Sequence, residues 1–219
     1  MKKNNYSFSI AVDGSSASGK TTGSKIIANK FRFKFLSSGK LYRYLSLRII
    51  KNKGKYNYRF INKISKNTSL KKLNSKQLYS PKITKLSSII AKKKYIRASL
   101  KKFQLDFIKK NKKVLIEGRD IQSKIMPNAD LKIFFKCSYK EKAKRRFKEF
   151  KKINKNVSLK EVEKALKLRD FSDKNRKESP LLFVKGAVLV DTTNLSISDL
   201  EDKLTKLVRK AVNNKYGNL

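Results

Sequence analysis

Apolar residues come in short runs separated by longer stretches of helical spacing. Residues 8–12 read as a buried strand, 13–19 as a loop, and 20–31 as a helix with Ile26, Ile27 and Phe31 on its apolar side. Residues 33–36 form a second short strand. A helix over 39–52 follows, with Leu41, Tyr44, Leu45, Leu47 and Ile49 as its apolar positions. The stretch 53–81 is basic, Asn-rich and weakly periodic, and is expected to be an inserted, partly mobile lobe. Helices are expected over 83–92 and 95–111. Short apolar runs at 114–116 and 131–137 read as strands, the second after the turn signal Pro127-Asn128. A charged helix covers 139–152, and Ser158 with Glu161 makes a capping-box start for the next helix. Residues 187–190 read as another buried strand, and Ser198 with Glu201 as the opening of the last helix. Short strands alternating with helices indicate an α/β fold with a central, mostly parallel sheet. No internal repeat is visible.

The 219 residues suit one domain with a lobe inserted into it, and are enough to bury a real core. The only Cys, Cys137, excludes a disulfide framework and a Cys-based zinc cluster; at a strand end it reads as a small buried residue. With no His, chemistry falls to carboxylates, Lys, Arg, hydroxyls, backbone amides or a hydrated ion. No run reaches the length of a membrane span, and residues 8–12 are too short for a signal peptide, so a cytoplasmic protein is expected. The net charge of +41, from 57 basic and 16 acidic residues, invites a nucleic-acid reading. The basic excess is 46 Lys against 11 Arg, scattered over nearly every segment, which fits compositional drift better.

One motif is specific. Gly14-x-x-x-x-Gly19-Lys20-Thr21 lies between the first strand and the first helix, the context a phosphate loop requires. Its glycines let backbone amides turn toward phosphate oxygens, and the helix N-terminus adds donors and a favourable dipole. Lys20 supplies a charge toward the β/γ phosphates, and the Thr21 hydroxyl suits Mg²⁺. Residues Gly14, Ser15, Ser16, Ala17, Ser18, Gly19, Lys20, Thr21 and Thr22 are therefore the expected ATP cradle.

Other clusters are less specific alone. Ser38-Gly39-Lys40-Leu41-Tyr42-Arg43 opens a helix, and Gly118-Arg119-Asp120 follows the third apolar run, at a strand end where α/β sheets gather ligands. Arg169, Asp173 and Arg176, at i, i+4 and i+7, fall on one helical face; by themselves they fit a surface ion-pair ladder equally well. Arg145-Arg146 lies in a Lys-rich helix, where a solvated face is the simpler account. Glu117 and Asp13 fit either a water-mediated hold on Mg²⁺ or a structural turn.

Taken in order, these motifs resemble the bacterial cytidylate kinases, of the nucleoside monophosphate kinase group. The resemblance runs from Ile10-Ala11-Val12-Asp13-Gly14 through Glu117-Gly118-Arg119-Asp120 and Pro127-Asn128-Ala129-Asp130 to Leu189-Val190-Asp191-Thr192-Thr193. It implies a three-layer P-loop kinase fold over 1–219, with a monophosphate-binding lobe at 53–96 and a short lid at about 145–160. It implies transfer of phosphate from ATP, with Mg²⁺, to CMP and dCMP by a monomer with no nucleic-acid or membrane partner. By matching position, Ser88, Arg97 and Asp120 become cytosine readers, with Ser38 and Tyr42 lining that pocket. Arg43, Arg119 and Arg176 face the monophosphate and the transferred group, Arg169 and Asp173 the ribose side, and Arg145 and Arg146 the lid. Lys20, Arg119, Arg145, Arg146 and Arg176 form the implied catalytic set. The region between Arg43 and Arg97 is shorter than is usual in the family. Another P-loop small-molecule kinase, or a basic nucleic-acid-binding protein, is the alternative. Seven of the 11 Arg fall at these positions, but of the 46 Lys only Lys20 does. Phosphate recognition thus rests on a few planar guanidiniums.

Overall fold

In the computed structural model, which describes residues 6–151 and 157–217, the strands are β1 (Phe8–Gly14), β2 (Lys34–Ser37), β3 (Lys113–Gly118), β4 (Leu131–Lys136) and β5 (Val188–Asp191). Among the described residues they form one sheet in the order β2-β3-β1-β4-β5. The pairings β1–β3, β1–β4 and β4–β5 are parallel, as the alternation of strands and helices requires. Helices follow the strands: α1 (Lys20–Phe31), α2 (Ser38–Lys51), α3 (Tyr58–Lys66), α4 (Pro81–Ile90), α5 (Lys94–Lys109), α6 (Tyr139–Lys151), α7 (Leu159–Asn175) and α8 (Ile197–Tyr216). The chain divides into two compact units, residues 1–35 with 113–219, and residues 36–112. None of the described helices is long and apolar enough to cross a membrane.

In the first unit, β1 is central and buried almost throughout, which is why it reads as a near-continuous apolar run. Phe8, Ile10, Val12, Ile27, Leu115, Ile133, Phe135, Val190, Leu204 and Val208 are wholly inaccessible and form one core joining the sheet to α1 and α8. Each such side chain is worth about 1.5–3 kcal/mol of burial. The turn after β3 is tied down by polar contacts. The Asp13 carboxylate accepts the Ile121 and Gln122 N–H groups at 3.0 and 2.8 Å. Gln122 Nε2 in turn donates to the carbonyls of Ala11 and Ile133. Asp13 is thus a structural turn residue; burial pushes its carboxyl up to about 6, against the pull of the two N–H donors.

The second unit is helical. Helix α2 packs on α4, and α3 on α5, with Leu41, Leu45, Ile49, Ile61, Leu78, Ile90 and Ile96 buried. The stretch 53–96, expected as the inserted lobe, lies within this unit. Its weak periodicity is misleading. Asn57 caps α3 by accepting the Phe60 N–H, and Ile61, Ile64 and Ser65 face inward. The turns Lys72–Asn74 and Lys76–Tyr79 carry Leu73 and Leu78 inward as well.

Three expectations need correction. The last helix opens two residues earlier than Ser198: Ser196 and Asp199 make the capping box. Strand β5 is an edge strand with Val188 and Leu189 exposed and only Val190 sealed, because nothing described pairs beyond it. Arg176 is not on the α7 face; it is the residue after the helix, with extended backbone. The segment expected as a lid, 145–160, includes 152–156, which lie outside the described residues.

Close approach of β1 to β4 explains Gly14. A Cβ there would sit 2.5 Å from the Phe135 carbonyl oxygen, a backbone atom that moves only if the sheet opens, and φ is +156°. Gly14→Ala is expected to cost about 1–3 kcal/mol, lowering Tm by roughly 3–10 °C. A thermal melt with unchanged Tm would show that β1 and β4 can separate without loss.

Candidate active site

The loop between β1 and α1 turns through left-handed backbone at Ala17 (φ 58°) and Gly19 (φ 83°). At Gly19 an added Cβ would only touch Arg145 and Thr192, at 3.4 and 3.5 Å, so it is the left-handed backbone that favours glycine. The loop is strapped to its surroundings. Ser18 Oγ and Lys20 Nζ both donate to the Ser15 carbonyl at 3.0 Å, and the Ser16 N–H donates to Asp170. Thr192 Oγ1 donates to the Ser18 carbonyl at 3.0 Å. Helix α1 begins at Lys20 with no side-chain cap, leaving its first N–H groups at the loop.

Next to the loop, Thr21 Oγ1 lies 2.9 Å from both Glu117 carboxylate oxygens. A hydroxyl and a carboxylate side by side at the ends of α1 and β3 are hard oxygen donors of the kind Mg²⁺ takes. Two such protein oxygens suit a cation that completes its coordination with phosphate and water.

Arg119 Nε donates to Asp173 at 2.9 Å, and an Arg176 guanidinium nitrogen approaches the other Asp173 oxygen at 3.5 Å. Burial pushes the Asp173 carboxyl up, but Arg119, Arg169 and Arg176 together outweigh it and hold the group below its usual range. These four predicted residues are therefore one cluster. From α6, Arg145 binds the Thr192 hydroxyl and carbonyl at 3.1 and 2.7 Å and pairs with Glu141. Arg146 reaches Ser16 Oγ at 3.4 Å and pairs with Glu149. Asp120 is buried at the turn after β3, its carbonyl accepting the Lys124 N–H.

The second unit gathers the other predicted residues. Arg43 donates to the Leu78 carbonyl and to Thr84 Oγ1 and lies over the Tyr79 ring. Arg97 donates to the Ala91 carbonyl and lies 5.5 Å over the Tyr42 ring. Ser88 Oγ donates to the Thr84 carbonyl one turn back, and Ser38 is buried at the start of α2. Sequence reasoning missed Thr84 and Thr192 as partners of these arginines, and it missed Lys142 with Asp170. Hydroxyls and lysines are abundant in the chain, and no spacing distinguishes these.

Fold and loop define the class: a P-loop α/β protein shaped to hold a nucleoside triphosphate. A crystal structure of a Thermus thermophilus protein, 14% identical, superposes with a TM-score of 0.50 over 98% of this chain and 100% of that one, a likeness of fold. The family model described as cytidylate kinase matches residues 10–210. Curated cytidylate kinases of Fusobacterium nucleatum (35% identity, 92% of this chain and 97% of the relative) and Thermotoga maritima (33%, 94% and 99%) are similar along nearly their whole length. So is that of Mycoplasmoides gallisepticum (35%, 99% and 100%). The chain belongs to the cytidylate kinase family.

Lys20 has an electrostatic signature that can be measured. Burial pushes its ammonium down to about 7 from the ordinary 10.5; Arg119 and Arg169 add to the fall, and Glu117 and Asp173 oppose it. Between those values the unfolded chain holds a proton that folded Lys20 has released, so this residue's contribution to stability rises with pH over that window. Lys20→Met is expected to flatten the rise of stability between about pH 7 and pH 9 in urea titrations. An unchanged slope would show that Lys20 stays fully charged in the folded protein.

Proposed function

We propose that the protein phosphorylates CMP and dCMP to CDP and dCDP at the expense of ATP. The observation that carries this reading is the contact of Thr21 with Glu117, which puts the phosphate loop beside Arg119 and the guanidiniums held by Asp173, in a chain of the cytidylate kinase family. A lysine alone fits any nucleoside triphosphate; a lysine beside several guanidiniums fits two phosphorylated substrates brought end to end.

The N–H groups of the loop other than that of Ser16, with those at the start of α1, bind the ATP polyphosphate, and Lys20 follows the transferred group. Thr21 directly, and Glu117 through water, would hold Mg²⁺, which when bound neutralises charge between phosphates. Arg119 and Arg176 bind the acceptor phosphate, and Asp173 keeps both guanidiniums aimed. An acceptor phosphate oxygen attacks the γ-phosphorus in line; the bond to the β-bridging oxygen breaks, and its electron pair leaves with ADP. An ionised phosphate needs no general base, which accounts for a working site in a chain without His. Arg145 and Arg146 stabilise spread charge from the α6 side. Arg43 serves the acceptor phosphate; Ser38, Tyr42, Ser88 and Arg97 line and read the cytosine, and the Asp120 carboxylate accepts from its amino group.

A coupled ADP-release assay across nucleoside monophosphates tests the reading. Turnover on CMP and dCMP is expected, falling about a hundredfold or more in Lys20→Ala. Turnover on AMP, shikimate or dephospho-coenzyme A without CMP would transfer the protein to another acceptor. Asp120→Ala is expected to lower discrimination of CMP over UMP by about tenfold or more; preserved selectivity would remove Asp120 from the base-reading set.

A further inference from the structure

The phosphate loop is held from outside by a buried ion pair that the reaction itself does not use. Lys142 Nζ on α6 lies 2.5 Å from Asp170 Oδ2 on α7, and the two side chains are 3% and 1% exposed. Each ion also reaches the loop. Asp170 Oδ1 accepts the Ser16 N–H at 3.1 Å, and Lys142 Nζ donates to Ser15 Oγ at 3.2 Å. The ammonium also sits 3.8 Å over the Tyr139 ring. Ser15, the residue that Lys142 holds, is the one whose carbonyl receives Lys20. The next turn of the loop is the left-handed Ala17, which packs on the small α6–α7 core of Ala143, Val162 and Leu166.

We infer that Lys142 and Asp170 are positioning residues that set the ATP-binding loop from α6 and α7. A buried ion pair is a poor way to gain stability, because desolvation offsets the attraction and a well-packed apolar pair does as well or better. Its use here matches a different need. A loop with a non-glycine residue in left-handed backbone keeps that shape only where its surroundings over-determine it. The pair supplies two directed contacts at Ser15 and Ser16 that no apolar pair can supply. It also ties the loop to the helices carrying Arg145, Arg146 and Arg169, which lie within four residues of Lys142 or Asp170 in the chain.

The inference rests on the loop being the ATP site. Its test separates loop geometry from packing by comparing Asp170→Asn, Lys142→Met and the double variant Lys142→Met with Asp170→Leu. Readouts are Tm, ATP affinity by calorimetry, and separate KM values for ATP and CMP. The single variants are expected to lose stability, since each strands a buried polar partner. ATP affinity is expected to fall about tenfold or more, with KM for CMP nearly unchanged. The double variant is expected to recover Tm but not ATP affinity. Wild-type ATP affinity in the double variant would overturn the inference, as would an equal loss on both substrates. Should the single variants not fold, the double variant carries the comparison alone. Wild-type protein that binds ATP but leaves CMP untouched would sink the proposed acceptor and leave this inference to its own result.

Discussion

Everything at the site depends on how closely β1 can lie against its neighbours. As the central strand it is paired in parallel on both sides, with Asp13 opposite Gly118 and Gly14 opposite Phe135. Parallel register puts the carboxyl ends of β1, β3 and β4 at one edge of the sheet, so the phosphate loop, Glu117 and Arg119 emerge together. The absence of a side chain at Gly14 permits this, because the Phe135 carbonyl occupies the place a Cβ would take. The core of Ile10, Val12, Ile133 and Phe135 then makes the arrangement expensive to distort.

On that frame the scarce acids act as organisers. The chain has 16 carboxylates against 57 cations, and several of them are buried where they orient something. Asp13 holds the turn after β3 by two N–H groups, and Glu117 holds the Thr21 hydroxyl. Asp170 holds Lys142 and the Ser16 N–H, and Asp173 gathers Arg119 and Arg176. In so basic a protein a guanidinium cluster without such an anchor would spread apart under its own repulsion. Acids placed among the arginines keep the fields focused and the forks aimed, the condition for binding phosphate by geometry as well as by charge.

Much of this was legible in the residues. The strand–loop–helix at 8–31 follows from an apolar run, a Gly-Ser loop and helical spacing, and it stands where expected. The spacing of Arg169, Asp173 and Arg176 suggested one helical face; in the structure Asp173 meets Arg119 from the turn after β3 and Arg176 from beyond the helix end. Less legible were elements whose signal was short or diluted. Helix α3 hid in a Lys- and Asn-rich stretch, although Asn57 as a cap and Ile61 with Ile64 one turn apart would have marked it. Ser196 and Ser198 each have an acid three residues on, and local pattern alone does not choose between them. Val188 and Leu189 look like core by composition, and only their place at the sheet edge leaves them exposed.

By itself the sequence determined the class of chemistry: a phosphate loop between a strand and a helix, and no imidazole to act as acid or base. Those are properties of residue type and spacing, which survive without knowledge of the fold. Tertiary structure alone decided which of many identical side chains matter. Nothing in the chain distinguishes Lys142 from 45 other lysines, or Thr192 from its neighbour Thr193. Packing of α6 on α7 excludes water from one ammonium and one carboxylate and turns them onto Ser15 and Ser16. Burial changes the strength of a charge, and burial depends on residues brought together from distant parts of the chain.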